Sequence, residues 1–129
     1  MIGQQGTTIA TEILPGTVGL TGGSQMVSLQ SSADGLVAHA GGGQASATPI
    51  TTKFARFSTV ATLNDSSILP AAIAGLSVTV RNDGVAAMNV FPQNNGDIIN
   101  ALAVNTALSC AAASTTVFRC YTTGKWVSN

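Results

Sequence analysis

The residues that could carry out acid–base or nucleophilic chemistry are few and widely spaced in this chain. His39 is the only histidine, and it has neither a G-x-S-x-G serine elbow nor a cluster of acidic residues or cysteines near it. The sequence therefore predicts neither a nucleophilic triad nor a metal site. Asp34, Asp65, Asp83 and Asp97 each stand beside Gly, Asn or Ser, where an aspartate commonly bonds its own turn. We expect no enzyme activity, no cofactor and no metal ion.

Glycine-rich segments suggest a second chemistry, the binding of phosphate. Residues 16–23 read GTVGLTGG, but they do not open a helix after a strand. Gly124 and Lys125 are followed by Trp126 where a phosphate-binding loop needs Ser or Thr. No phosphate cradle is predicted.

Charge is scarce and balanced along the chain. Five basic and five acidic residues cancel, and charged residues make up 8% of the sequence, about a third of the ~25% that is usual in soluble domains. A net charge of zero argues against nucleic acid and against an anionic membrane as partners. No apolar run reaches the ~18 residues of a membrane span, and no secretory signal is visible at Met1, so we expect synthesis in the cytoplasm.

A weakly charged exterior is poorly suited to an isolated monomer, because charge keeps protein surfaces from associating. We expect other chains to cover much of this surface. In the alternative interpretation, Ser, Thr, Asn and Gln keep the exterior soluble.

Residues 1–50 are predicted to form an extended arm rich in Gly, Ser and Thr. They carry ten of the fourteen glycines and only two formal charges, Glu12 and Asp34. Such a segment is either disordered alone or ordered against a partner, and the scattered aliphatic residues favour the second. One hairpin is expected around residues 33–35. With two phenylalanines from the next segment, the candidate contacts with a partner are Ile9, Ile13, Leu14, Val18, Leu20, Phe54 and Phe57.

Residues 51–129 show the two-residue period of β-strands. In KFARFSTVATL both faces are half apolar, as expected for a strand between a core and a partner. In LSVTVRN, apolar and polar residues alternate, and Asn82-Asp83-Gly84 then predicts a hairpin. Residues 68–76 are expected to form a turn or a single helical turn, and Thr123-Gly124 to return Trp126 against the preceding strand. We predict an all-β fold, a small antiparallel β-sandwich or jelly-roll-like domain.

The two cysteines are predicted to be free and buried. If TALSC and TTVFRCYT pair as a hairpin centred near Ala113, Cys120 lies several residues beyond the position opposite Cys110. At about 3.4 Å per residue this offset exceeds the Cα separation of a disulfide.

Five short motifs follow one another in the second half of the chain: an L-P-A turn, V-x-V-x-N, V-x-P, G-D-x-I-N and a closing K-W. They occupy residues 69–71, 78–82, 90–92, 96–100 and 125–126. This series resembles small virion proteins of tailed bacteriophages, including capsid decoration (cement) proteins and the β-domains of head and tail fibres. The resemblance supplies no catalytic residues.

The resemblance implies a β-sandwich or jelly-roll-like virion protein on the outer capsid surface. Its partner would be the major capsid protein, and it would bind the lattice as a homodimer or homotrimer. We therefore expect a capsid decoration protein made in the host cytoplasm. One alternative is a head-fibre or tail-fibre domain that contacts a host receptor. Another is a carbohydrate-binding module, for which Trp126 and Tyr121 are the main candidates.

Overall fold

The computed structural model describes residues 31–41, 43–93 and 96–129, and this part of the chain is nearly all β-structure. The predicted all-β class is confirmed. The strands are β1 (Ser32–Val37), β2 (Thr48–Pro49), β3 (Phe54–Thr59), β4 (Asp65–Ile68), β5 (Ser77–Asn82), β6 (Met88–Phe91), β7 (Ile98–Ile99), β8 (Leu108–Cys110), β9 (Ser114–Thr122) and β10 (Lys125–Ser128). A short 3₁₀ helix, Gln44–Ser46, precedes β2. No helix among the described residues is long and apolar enough to cross a membrane.

From β1 to β6 the chain alternates between two sheets and winds as a β-solenoid. β1, β3 and β5 are parallel neighbours in a six-stranded sheet, and β2, β4 and β6 are parallel neighbours in a four-stranded sheet. Each pair of successive strands is one coil, and the next coil stacks on it. Ser32, for example, pairs with Phe54, and Phe54 pairs with Thr79 in the following coil.

The later strands complete both sheets with mixed orientations. β9 is antiparallel to β5 and to β10, β7 is parallel to β10, and β8 is antiparallel to β6. The prediction of an antiparallel sandwich or jelly roll is therefore wrong. Alternation along a strand predicts which face is buried, but it does not say which strand is the neighbour or how that strand runs.

The predicted hairpin at Asn82-Asp83-Gly84 is also wrong, because β5 and β6 lie in different sheets. Asn82 is buried, and its amide donates to the carbonyls of Ala86 (2.9 Å) and Cys110 (3.1 Å). The tripeptide turns the chain from one sheet to the other. Gly84 is needed there for close approach, since a Cβ at this position would collide with the backbone of Val60.

Residues 31–50 belong to the β-domain and not to an arm. β1 runs without a break through residues 33–35, so the expected hairpin is absent there, and Gly35 (φ 76°) lies at a register shift against β3. Ala38 and Ile50 are buried in the common core. The predicted boundary at residue 50 is therefore misplaced, because small and polar residues can still form coils when a larger core is built by later segments. Residues 1–30 of the predicted arm lie outside the described residues.

One core joins buried side chains from both sheets. Phe57, Phe118 and Trp126 come from the six-stranded sheet, and Met88 and Val90 from the four-stranded sheet. Three local predictions are confirmed. Residues 69–76 form a turn without a helix, β9 and β10 form a hairpin around Gly124, and both cysteines are free and buried. The assumed pairing of the cysteine segments is wrong, since β8 and β9 belong to different sheets.

Candidate protein-interaction surfaces

The candidate contact residues fall into three groups in the structure. Ile9, Ile13, Leu14, Val18 and Leu20 lie outside the described residues. Phe54 is exposed at the start of β3, with 41% of its surface accessible. Phe57 is fully buried in the core and cannot contact a partner. The strand turns Ala55 and Phe57 inward, so only one of the two phenylalanines can lie on the outer face.

An exposed aliphatic side chain recurs in each of three successive coils, where the chain leaves the six-stranded sheet. Val37 ends β1, Leu63 follows β3 and Val85 follows β5. Backbone hydrogen bonds join the three turns, from the amide of Ala38 to the Thr59 carbonyl, from Val85 to the Val60 carbonyl and from Asn64 to the Ala87 carbonyl. We call Val37, Leu63 and Val85 the apolar corner. Val85 is 85% exposed and Leu63 is 66% exposed.

A shallow depression of about 240 Å³ lies at the same corner. Its lining comes from two stacked turns, Ser58, Thr59, Val60 and Ala61 from one and Asp83, Gly84 and Val85 from the other. The missing side chain of Gly84 lets the two turns approach closely. The corner therefore offers protruding aliphatic side chains beside a small recess, a shape into which a side chain of another protein can fit.

Asp65 fixes the turns of the apolar corner. One carboxylate oxygen accepts from the amide of Gly41 (3.1 Å) and the hydroxyl of Thr62 (2.6 Å). The other accepts from the amides of Ala61 (2.9 Å) and Thr62 (3.0 Å). These bonds, above all that from the Thr62 hydroxyl, lower the pKa of Asp65 to about 2. The carboxylate links the first and second coils in its ionised form.

Four charged side chains cross the outer face of the six-stranded sheet with alternating sign. Arg56 donates to Asp34 of the coil before it and to Asp83 of the coil after it, both at 2.6 Å. Arg81 also donates to Asp83 at 2.6 Å and to the carbonyl of Ala113 at 3.2 Å. We call Asp34, Arg56, Asp83 and Arg81 the charge ladder.

The charge ladder changes how both of its acids titrate. The bonds from the Arg56 guanidinium are the main reason that the pKa values of Asp34 and Asp83 lie below the ordinary range. The same carboxylates raise the pKa of Arg56. Asp34, Asp83 and Arg56 are therefore charged at neutral pH, and each member of the ladder bonds a neighbour of opposite sign.

The outer face of the four-stranded sheet has a different character, because it carries no charged side chain among its strand residues. Along its strands, outward side chains alternate with more buried ones, and the outward residues include Asn89, Phe91 and Ser109. Ile68 is paired with Phe91 and lies beside it. The two sheets thus present one charged and one neutral face.

The corner and the ladder were both missed by sequence reasoning. Each residue in them stands alone in its local segment, so neither a two-residue nor a helical period reveals it. The signal that could have found them is recurrence once per coil, as with Asp34, Arg56 and Arg81. That spacing becomes visible only when the coil length is known.

Among the described residues, no group of three His, Cys, Asp or Glu side chains is placed to hold a metal ion. His39 is exposed, and its backbone bridges to Ser66. Burial raises the pKa of the Cys110 thiol. Comparison of the chain with protein-family models, with curated proteins and with solved structures found no match.

Proposed function

We propose that this protein is a structural component of a virion, a capsid decoration protein that binds the lattice of the major capsid protein on the outer surface. It would do so as a homodimer or homotrimer. The observation that carries the proposal is the apolar corner, with its three exposed aliphatic side chains and adjoining recess. The resemblance of residues 69–126 to phage virion proteins points to the same class.

Isolated exposed aliphatic residues are common on protein surfaces. What favours a contact surface here is their repetition in consecutive coils next to a depression. A solenoid brings successive turns together along one edge, so exposed residues of each turn lie along that edge. Apolar anchors set beside a recess are typical of the centres of protein interfaces, where most of the binding energy is concentrated.

A low density of charge suits a protein that coats a shell. Many copies contact a repeating lattice, so each contact can be modest while the whole array is stable. A weakly charged exterior lowers the cost of removing water from such contacts. The neutral face of the four-stranded sheet offers a second area for contacts between neighbouring copies.

The test is binding of the purified full chain to shells lacking it, measured by co-sedimentation and by copy number per particle. Leu63→Asp and Val85→Asp together should reduce occupancy by about tenfold or more, because two buried charges would replace apolar anchors. Ile73→Asp is the matched control, since Ile73 is 63% exposed, close to the 66% of Leu63, but lies in the turn that leads back to the six-stranded sheet. Equal occupancy of the corner variant and the wild type would overturn the proposal.

A head-fibre or tail-fibre domain is the second candidate, favoured by the winding of the chain. Coils that stack in one direction lengthen a molecule along a single axis. A fibre component would be present in a few copies per virion, and a decoration protein in hundreds. Quantitative gel analysis of purified virions, together with cryo-imaging of the particles, separates the two functions.

A further inference from the structure

The basic residues of the described strands all lie on the outer face of the six-stranded sheet. Arg56 and Arg81 belong to the charge ladder and are matched there by Asp34 and Asp83. Arg119 and Lys125 lie farther across the same face, on β9 and β10, and neither forms a salt bridge with any described residue. One part of this face is therefore neutralised and the other keeps two free positive charges.

The two free cations are held close together by the β9–β10 hairpin. Arg119 is paired in register with Val127, and Thr122 with Lys125. Arg119, Lys125 and the 59% exposed Tyr121 alternate with the inward side chains of Cys120 and Trp126. The guanidinium of Arg119 is steadied by a bond of 3.2 Å to the side-chain carbonyl of Asn129.

We propose that this hairpin face, formed by Arg119, Tyr121, Lys125 and Val127, docks onto an acidic surface of the partner protein. The inference rests on the proposed function, because it names the chemistry of the surface that the decorating domain meets. Charge complementarity is its basis, since two neighbouring cations attract carboxylates and orient the encounter. Tyrosine and arginine are also enriched in the energetically important centres of interfaces.

A second copy of this domain is a poor occupant of the hairpin face. Its exposed carboxylate Asp34 and half-buried carboxylate Asp83 are already bonded to arginines. Asp65 is buried and accepts four hydrogen bonds, and Asp97 is buried and accepts from the amide of Ala72. The described residues of a second copy would bring the same two cations to the contact and no carboxylate without a partner, so a different protein with an acidic surface complements the hairpin face better.

A protein surface also fits the hairpin face better than an acidic polysaccharide does. The face is a pleated sheet surface that includes the aliphatic side chain of Val127, which is 41% exposed. Small-molecule and sugar sites are typically concave with converging polar groups, whereas flat surfaces of mixed apolar and charged residues are typical of contacts between proteins.

The experiment compares full-length wild type with the double variant Arg119→Gln/Lys125→Gln in binding to undecorated shells. Measurements run from about 50 to about 300 mM NaCl, because screening grows over this range. The double variant should bind roughly three- to tenfold more weakly at low salt and show a flatter salt dependence. Lys53→Gln, which removes an exposed cation outside the hairpin, should match the wild type. Unchanged circular dichroism and Tm confirm that the variants are folded.

A second measurement separates the proposed function from the docking of the hairpin face. It records the retention of the wild type and the double variant on immobilised poly-L-glutamate and on immobilised hyaluronan. Retention on poly-L-glutamate that depends on Arg119 and Lys125 supports the inference even if no shell binding occurs, in which case only the proposed function fails. Shell binding with identical affinity and salt dependence for wild type and double variant overturns the inference and leaves the proposed function standing. Retention on hyaluronan alone also overturns the inference, in favour of a glycan. Absence of binding to shells and to both probes overturns both proposals.

Discussion

The coils formed by β1 to β6 and the hairpin formed by β9 and β10 are built in opposite ways. In the coils, each strand is paired with a strand one full coil away, and the strand that follows it in the chain lies in the other sheet. In the hairpin, Cys120 is paired with Trp126 across a turn of two residues, Thr123 and Gly124. The coils therefore depend on contacts between turns that are distant in sequence, and the hairpin depends on one local turn.

The surfaces of these two regions differ as well. In the coils, Arg56 connects acids of two other coils, so the charges on the outer face cancel. In the hairpin, Arg119 and Lys125 have no acidic partner among the described residues. The coils thus pair their charges between neighbouring strands, whereas no described carboxylate pairs with the charges of the hairpin.

The largest expected effects test whether the two regions share one core. Phe57 in the coils and Trp126 in the hairpin are both fully buried in the same cluster. Phe57→Ala and Trp126→Ala should each reduce the free energy of unfolding by about 3–5 kcal/mol. Urea unfolding followed by far-ultraviolet circular dichroism should show a single transition in both variants, because neither region has a separate core.

Milder variants guard against complete loss of folding. Trp126→Phe keeps an aromatic ring and removes an indole N–H that is buried without an acceptor among the described residues, so it should cost clearly less than Trp126→Ala. In the wild type, Trp126 fluorescence reports on the hairpin and circular dichroism on both regions. Two separate transitions would show that the coils and the hairpin unfold independently.

The next effect is specific to the coils and concerns the approach of two turns. Gly84→Ala places a Cβ against the backbone of Val60, which cannot move aside without shifting the turn that follows β3. We expect a loss of about 1–3 kcal/mol from overpacking. Gly43→Ala is the matched control, because its Cβ meets no atom within 4 Å and its φ of -88° suits alanine. Equal unfolding midpoints for the two variants would contradict the close stacking of the turns.

The local features of the hairpin were predictable from sequence, and the pairing of the coils was not. A Thr-Gly turn followed by Trp126 defines a hairpin within about ten residues, and a short loop leaves little choice of partner. The parallel partners of β3 come from a coil before and a coil after it. No residue within β3 specifies them, because many strands with the same alternation could occupy those positions.

The error at Asn82-Asp83-Gly84 has a definite physical reason. These residue types favour tight turns of any kind, and a hairpin is only one of the structures that need them. Here Asn82 accepts from the Gly84 amide at 2.9 Å and donates to the carbonyls of Ala86 and of the distant Cys110, which stabilises a corner between sheets. The turn itself was predictable from its residues. The sheet that the chain enters after the turn depends on contacts with Cys110 and Val60, which lie outside the local sequence.

Acid sensitivity should belong to the coils, since residues 114–128 contain no Asp or Glu. The pKa of Asp65 is lowered from 3.8 to about 2 in the folded protein. Its stabilising contribution is therefore complete above about pH 4 and is lost as the pH falls towards 2. Asp34 and Asp83, whose pKa values are also lowered, contribute in the same direction.

Asp65→Asn tests this contribution directly. In this variant an NH₂ group replaces one carboxylate oxygen, so a hydrogen-bond donor faces the backbone N–H donors. Tm at pH 7 should therefore fall by several degrees. The drop in Tm between pH 4 and pH 2 should be smaller than in the wild type. Thr62→Val removes only the hydroxyl donor and should give an intermediate profile. Parallel Tm profiles for Asp65→Asn and the wild type would show that Asp65 does not govern acid stability.

The smallest expected effect compares an arginine of the coils with the arginine of the hairpin. Arg56→Gln breaks the bonds to Asp34 and Asp83, but these groups are accessible to solvent, so Tm should fall by only a few degrees. The fall should be larger at about 20 mM than at about 500 mM NaCl, because salt screens exposed pairs. Adding Asp34→Asn to Arg56→Gln should change Tm little further, since their common bond is already lost.

Arg119→Gln should leave Tm unchanged at either salt concentration, because Arg119 has no acidic partner within the described domain. Its effect should instead be seen in the binding of shells, where Arg56→Gln should have little influence. Equal changes in Tm from the two arginines would mean that Arg119 has an acidic intramolecular partner in addition to the Asn129 side chain. The pair of variants thus assigns each charge either to holding the coils together or to contact with another protein.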